Sequence, residues 1–120
     1  MRLFLAALPG SLLVLALSGC GPNPNYSGSW TFTWDNDSAN TNAAVLNQDG
    51  DAITGNYVND SKENCPITGQ LDSSGAKMAL TITCPKWEIK SDGSIVNPTL
   101  VEGKYLAYGD SSGDFKMAKN

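Results

Sequence analysis

Three cysteines, twelve acidic side chains and no histidine set the chemistry open to this chain of 120 residues. Without histidine, neither a Ser–His–Asp nor a Cys–His nucleophile can be assembled, and no metal can be held through imidazole. Paired carboxylates remain available for acid–base work. Here they fall where turns are expected: Asp35 and Asp37, Asp49 and Asp51, Asp110 and Asp114. Aspartate favours turns because its short side chain bonds to nearby backbone. Asp35-Asn36-Asp37-Ser38-Ala39-Asn40 opens like a calcium loop, but it lacks the sixth-position glycine and the closing glutamate. The thiols carry more information. Cys20 ends an apolar N-terminal run, directly after the small residues Ser18 and Gly19, whereas Cys65 and Cys84 lie in polar, strand-like sequence. No CxxC spacing and no activating histidine accompany them, so a redox pair is not expected. These residues predict a protein that is not an enzyme and needs no cofactor or metal.

The stretch before Cys20 is organised. Arg2 supplies a positive start, and Leu3 to Leu17 is almost wholly apolar. At about fifteen residues it is short for a bilayer span, which needs roughly 20, and it has the length of a secretory core segment. Leu17-Ser18-Gly19-Cys20 resembles the lipobox of bacterial lipoproteins. That resemblance implies that residues 1–19 are a signal peptide removed before Cys20, and that the Cys20 thiol carries a diacylglyceryl group. Two or more acyl chains make a stable membrane anchor, where one holds only weakly. Gly21 is not the aspartate that retains enterobacterial members of the family at the inner membrane. The resemblance therefore implies a cell-envelope protein on the outer membrane, facing the periplasm or the surface.

Once the signal is removed, the chain keeps its twelve acidic residues and loses one of its eight basic ones, Arg2, leaving seven lysines and a net charge of −5. Phosphate neutralisation needs a basic surface, so nucleic acid is not an expected partner. The remaining length suits one domain with a modest core. Residues 20–27, rich in Pro and Asn, read as a lipidated tether, and 28–120 as the domain.

From Gly28 on the apolar pattern has period two. Trp30, Phe32 and Trp34 alternate with Ser29, Thr31 and Thr33, which puts three aromatics on one face of a strand. Ala44, Leu46 and Gln48 form a second such face, and Asp49-Gly50 signals a two-residue hairpin that pairs Leu46 with Ile53 and Ala44 with Gly55. Ile53–Tyr57, Ile67–Leu71 and Val101–Tyr105 share an apolar–polar–Gly–polar–apolar pattern. An inward glycine lets a small sheet coil and leaves room for bulky neighbours such as Trp30. Met78, Leu80, Ile82 and Cys84 mark a further strand, residues 86–90 a short one, and Phe115 with Met117 the last. Segments 35–42, 59–64 and 91–98 read as loops. The pattern predicts an all-β, antiparallel up-and-down meander of seven or eight strands closing into a small barrel.

The cysteines test that register. With Ser74-Gly75 at the centre of a hairpin turn, Leu71 faces Met78, Ile67 faces Ile82 and Cys65 faces Cys84. Directly opposed residues lie within disulfide range, and an exported protein favours the bond. A Cys65–Cys84 disulfide is therefore expected.

Gly28-Ser29-Trp30 followed by the Asp49–Tyr57 hairpin resembles the avidin and lipocalin-like barrels. The resemblance implies a barrel plugged at one end by the first tryptophan, with Tyr57 at the position of a ligand-holding tyrosine. Biotin binding does not carry over, because Phe32 and Asn59 replace the asparagine and serine of the avidin pattern. The expected function is a non-catalytic binding module, taking a small apolar ligand in the barrel or at its mouth. Trp34, Tyr57, Trp87 and Tyr105 are the contact candidates, though inward aromatics also serve as plain core. The alternative is a protein-interaction role in the envelope, as an inhibitor or immunity protein against a periplasmic enzyme.

Overall fold

The computed structural model describes residues 24–120; the expected signal peptide 1–19, Cys20 and the first residues of the expected tether lie outside them. The described residues form eight strands: β1 (Gly28–Trp34), β2 (Thr41–Asp49), β3 (Ala52–Val58), β4 (Asn64–Leu71), β5 (Lys77–Cys84), β6 (Trp87–Asn97), β7 (Leu100–Ala107) and β8 (Ser111–Lys119). Each strand pairs antiparallel with the next, and β1 pairs with β8, closing the expected meander into a barrel. Closure leaves no free sheet edge to recruit another chain. The chain enters at a proximal end, shared with turns 50–51, 72–76 and 98–99. The distal end carries the connections 35–40, 59–63, 85–86 and 108–110.

Alternation drives burial. Trp30, Phe32 and Trp34 all point inward from β1, as their spacing predicts. Around them Leu46, Met78, Val101 and Met117 are fully buried and fill the interior from four other strands. Phe32 is the hub, stacked on Trp34 at 5.3 Å and on Phe115 at 6.2 Å, with Tyr57 edge-on at 5.6 Å.

The β4–β5 hairpin keeps its predicted register, with Leu71 opposite Met78 and Ile67 opposite Ile82. Asp72 holds the turn, its carboxylate accepting the backbone N–H of Ala76 at 2.9 Å and of Lys77 at 3.2 Å. The register carries on to the Cys65–Cys84 disulfide, whose Cα atoms lie 4.6 Å apart.

Four expectations need correction. The β2–β3 register is displaced by two residues: Asp49 pairs with Ala52, Leu46 with Gly55 and Ala44 with Tyr57. The turn residues are Gly50 and Asp51, and only Gly50 has a positive φ, of 63°. Glycine in the first central position suits the type II′ turn, whereas Asp49-Gly50 would need two left-handed residues. A two-residue shift keeps every side chain on its own face, so burial alone could not tell the registers apart.

The segment 91–98 is no loop. It forms the second half of β6, the longest strand, up to Asn97. Its inward positions include Ser91 and Gly93, which erase the apolar signal. The inward glycines also make room for something other than Trp30. A Cβ on Gly103 would run into the carbonyl oxygen of Asp92 and stand 2.7 Å from the Cα of Gly93, directly across the β6–β7 ladder. The space is taken by the neighbouring strand's backbone, drawn close where the sheet coils. Gly103→Ala should therefore lower stability by about 1–3 kcal/mol, read as a reduced urea midpoint, because a packed backbone cannot yield as a flexible side chain does. An unchanged midpoint would contradict this packing.

The folded body also begins before Gly28. Tyr26 is 4% exposed, its N–H donates to Gln48 Oε1 at 2.8 Å, and its carbonyl accepts Trp30 Nε1 at 2.8 Å. Lys119 Nζ donates to the Asn25 carbonyl at 3.0 Å. Residues 25–27, expected to belong to the tether, thus pack with the barrel and seal its proximal end over Trp30.

Candidate functional site

The four aromatic candidates come from four strands yet meet at the distal end. Trp34 closes β1, Tyr57 is near the end of β3, Trp87 opens β6 and Tyr105 lies late in β7. Ring centroids run from Tyr105 to Trp34 at 5.0 Å, on to Tyr57 at 6.1 Å, and on to Trp87 at 6.4 Å. These contacts are tilted or edge-to-face, the arrangement that the ring quadrupoles favour. The arc continues to Tyr108, 5.9 Å from Trp87.

The members differ in exposure. Trp34 and Tyr57 are 5% and 3% exposed and belong to the core as much as to the mouth, whereas Trp87 and Tyr105 are half-buried and Tyr108 is 65% exposed. Trp34 Nε1 is shared between Asn42 Oδ1 and the Tyr57 hydroxyl, both at 3.1 Å. Asn42 in turn donates to the Val58 carbonyl and to Asp60 Oδ1, each at 3.0 Å. The Tyr105 hydroxyl donates to Asp35 Oδ2 at 2.9 Å. Burial pushes the Tyr57 phenol far above its ordinary range, against the opposing pull of the Trp34 hydrogen bond. Tyr105 is raised as well, by desolvation and then by the Asp35 carboxylate that its hydroxyl meets. Both phenols stay protonated and present O–H donors at any physiological pH.

The disulfide underlies this arc. Cys65 sits opposite Tyr57 across β3–β4, and Cys84 opposite Trp87 across β5–β6. The bridge between β4 and β5 thus ties together the two strands that flank those rings.

Tyr108 escaped the sequence reading, as did Asn42, Asp60 and the role of Asp35. Tyr108 stands in the β7–β8 turn at φ 57°, beside Gly109 at 83°. A non-glycine residue in the left-handed region costs on the order of 1–3 kcal/mol. The available signal was an aromatic directly before Gly109-Asp110, at a place where turn chemistry alone calls for a small polar residue.

The described concavities lie outside the barrel. A groove of about 800 Å³ crosses the outer wall of β4–β7, lined by Thr68, Ala79, Thr81, Lys90 and Lys104 among others, and of the four candidates only Tyr105 borders it. A second, of about 690 Å³, lies at the proximal end beside Tyr26 and Asp72. Neither gathers the polar and aromatic groups that converge at the mouth, so the mouth is the better candidate. Among the described residues no three His, Cys, Asp or Glu side chains are grouped to hold a metal ion.

Fold and site together define a small closed antiparallel barrel with a side-chain-filled interior and an aromatic distal mouth. Compared with protein-family models, with curated proteins and with solved structures, the chain finds no match.

Proposed function

We propose that this chain is an envelope lipoprotein, anchored through lipid on Cys20, that works by binding rather than catalysis, and that its binding surface is the distal aromatic mouth. The observation that carries the reading is the convergence of Trp34, Tyr57, Trp87 and Tyr105 with the exposed Tyr108 at one end of the barrel. That end is opposite the one where the chain enters. The five steps along the chain from Cys20 to Asn25 span at most about 18 Å. With the barrel's own length, the mouth would stand within about 45 Å of the bilayer and face away from it. The interior packed around Phe32 supports an occupant resting on the mouth rather than inside the barrel. A protein partner in the envelope suits that surface better than a small apolar ligand, since a largely exposed tyrosine held in a strained turn offers contact area without a cavity.

Two measurements test this. Cys20→Ala should move the protein from the membrane to the soluble fraction; unchanged membrane association would refute the anchor. A photo-crosslinking amino acid in place of Tyr108 should trap a discrete adduct in cells, while the same group at Asp51, on the proximal end, should not. Equal adducts at both ends, or none at 108, would overturn the mouth as the binding surface.

A further inference from the structure

We infer that the mouth takes a basic protein surface and seats one of its arginine side chains on the aromatic arc. The inference rests on reading the mouth as the binding surface and names the chemistry of the partner.

Charge carries the first part of the argument. The distal connections hold Asp35, Asp37, Asp60, Glu63 and Asp110 against Lys62 and Lys86, a net charge of −3 on one end of the barrel. Among the described residues the ion pairs are Lys90–Glu88 and Lys104–Asp114, and neither uses an acid from these connections. The loop carboxylates are thus left without cationic partners. Two of them are fixed to the arc itself. Asp35 accepts the Tyr105 hydroxyl, and Asp60 accepts Asn42, whose own side-chain oxygen takes Trp34 Nε1. A third, Asp110, shares the turn with Tyr108, its N–H bonding to the Ala107 carbonyl at 3.3 Å.

Aromatic faces carry the second part. Trp87 and Tyr108 present half-buried and exposed rings 5.9 Å apart, with Glu88 and Lys90, already paired with each other, beside Tyr108 and with Asp110 in the same turn. A cation over an aromatic face is attracted by the ring quadrupole. Guanidinium adds planar stacking and two parallel hydrogen bonds to a carboxylate, which an ammonium cannot supply. An anionic partner would be repelled, and a neutral one would leave the carboxylates unpaired. A shallow hollow of about 180 Å³ beside Tyr108 is lined by Glu88, Lys90 and Leu106 but by none of Trp34, Tyr57, Trp87 and Tyr105, so a free small cation held there would touch one ring of the arc. A folded surface covers the whole rim and excludes water from the contact.

The test uses the full-length lipidated chain in nanodiscs of zwitterionic lipid, with nona-arginine, nona-lysine and free arginine methyl ester as probes. Nona-arginine should bind at least tenfold tighter than nona-lysine, and free arginine methyl ester should not bind measurably. Trp87→Ala and Tyr108→Ala should each weaken nona-arginine at least tenfold. Neutralising Asp37 and Asp110 to Asn should weaken it severalfold, whereas the same charge change at Asp49 and Asp51, on the proximal end, should leave affinity within twofold. Equal losses from the two neutralised pairs would overturn the inference, since net charge alone would then explain binding. Indifference to Trp87→Ala and Tyr108→Ala would do the same, and tight binding of arginine methyl ester would assign the mouth to a small cation instead. An adduct at 108 with a partner whose docking face is not basic would end this inference while leaving the mouth reading intact. The absence of any adduct there would end both.

Discussion

Phe32→Ala is expected to lower the stability of the barrel by about 3–5 kcal/mol, the usual range for a buried Phe truncated to Ala. Phe32 is fully buried and touches aromatics from three strands, with centroids at 5.3 Å to Trp34, 5.6 Å to Tyr57 and 6.2 Å to Phe115. It also sits at the closing seam, opposite Asn42 on β2 and Met117 on β8. Its truncation removes apolar area and leaves a void that a ring of hydrogen-bonded strands cannot collapse to fill. Domains of this size have about 5–15 kcal/mol to lose, so the variant gives up a large share of its stability while keeping a folded baseline. Urea denaturation reads the effect as a lowered midpoint with little change in slope. Phe32→Leu, which keeps most of the volume, should lose under about 1.5 kcal/mol. A loss below about 1.5 kcal/mol for Phe32→Ala would mean that the interior can rearrange, and that a ligand could enter it after all.

Replacing both Cys65 and Cys84 with alanine should lower stability by about 3 kcal/mol, the loop-closure contribution for a bridge of this span. The sequence separation is 19 residues. For a domain of this size that corresponds to a fall of roughly 12–24 °C in Tm. The consequence for the mouth is more specific. Tyr57 and Trp87 lie directly opposite the two half-cystines. Loss of the bridge frees their strands to separate, so Trp87 fluorescence should shift towards the red at temperatures where the fold persists. Nona-arginine binding should weaken in parallel. A variant that melts lower but keeps the Trp87 emission and the binding would restrict the disulfide to stability alone.

Much of the barrel is written in local pattern. Trp30, Phe32 and Trp34 point inward because successive strand residues alternate faces, and that needs no knowledge of the partner strands. The Cys65–Cys84 bond followed from one turn centre and a count, because a hairpin turn and its ladder are short-range. The β2–β3 hairpin shows the limit of the same reasoning: a two-residue slip preserves the faces, and only the left-handed Gly50 and the fit of Leu46 over Gly55 select the register. In β6, inward Ser91 and Gly93 hid a strand, since that glycine serves its neighbours' side chains, Val101 and Phe115, rather than an apolar face of its own.

The candidate site divides in the same way. Its four inner aromatics could be named from type and parity, but their meeting could not, because Tyr105 reaches Trp34 only when β8 closes onto β1. Tyr108 belonged to no alternating pattern, and its place beside Trp87 comes from its left-handed turn conformation and from its N–H bonding to the Glu88 carbonyl on β6 at 3.3 Å. By itself the sequence determined the strand faces, the disulfide and the N-terminal features read as an anchor, each of which depends on residues near one another in the chain. The tertiary structure alone decided which turn residue completes the mouth, which carboxylates surround it, and that Tyr26 seals the opposite end. Those outcomes rest on contacts between residues far apart in the chain, made only once the eight strands form a ring.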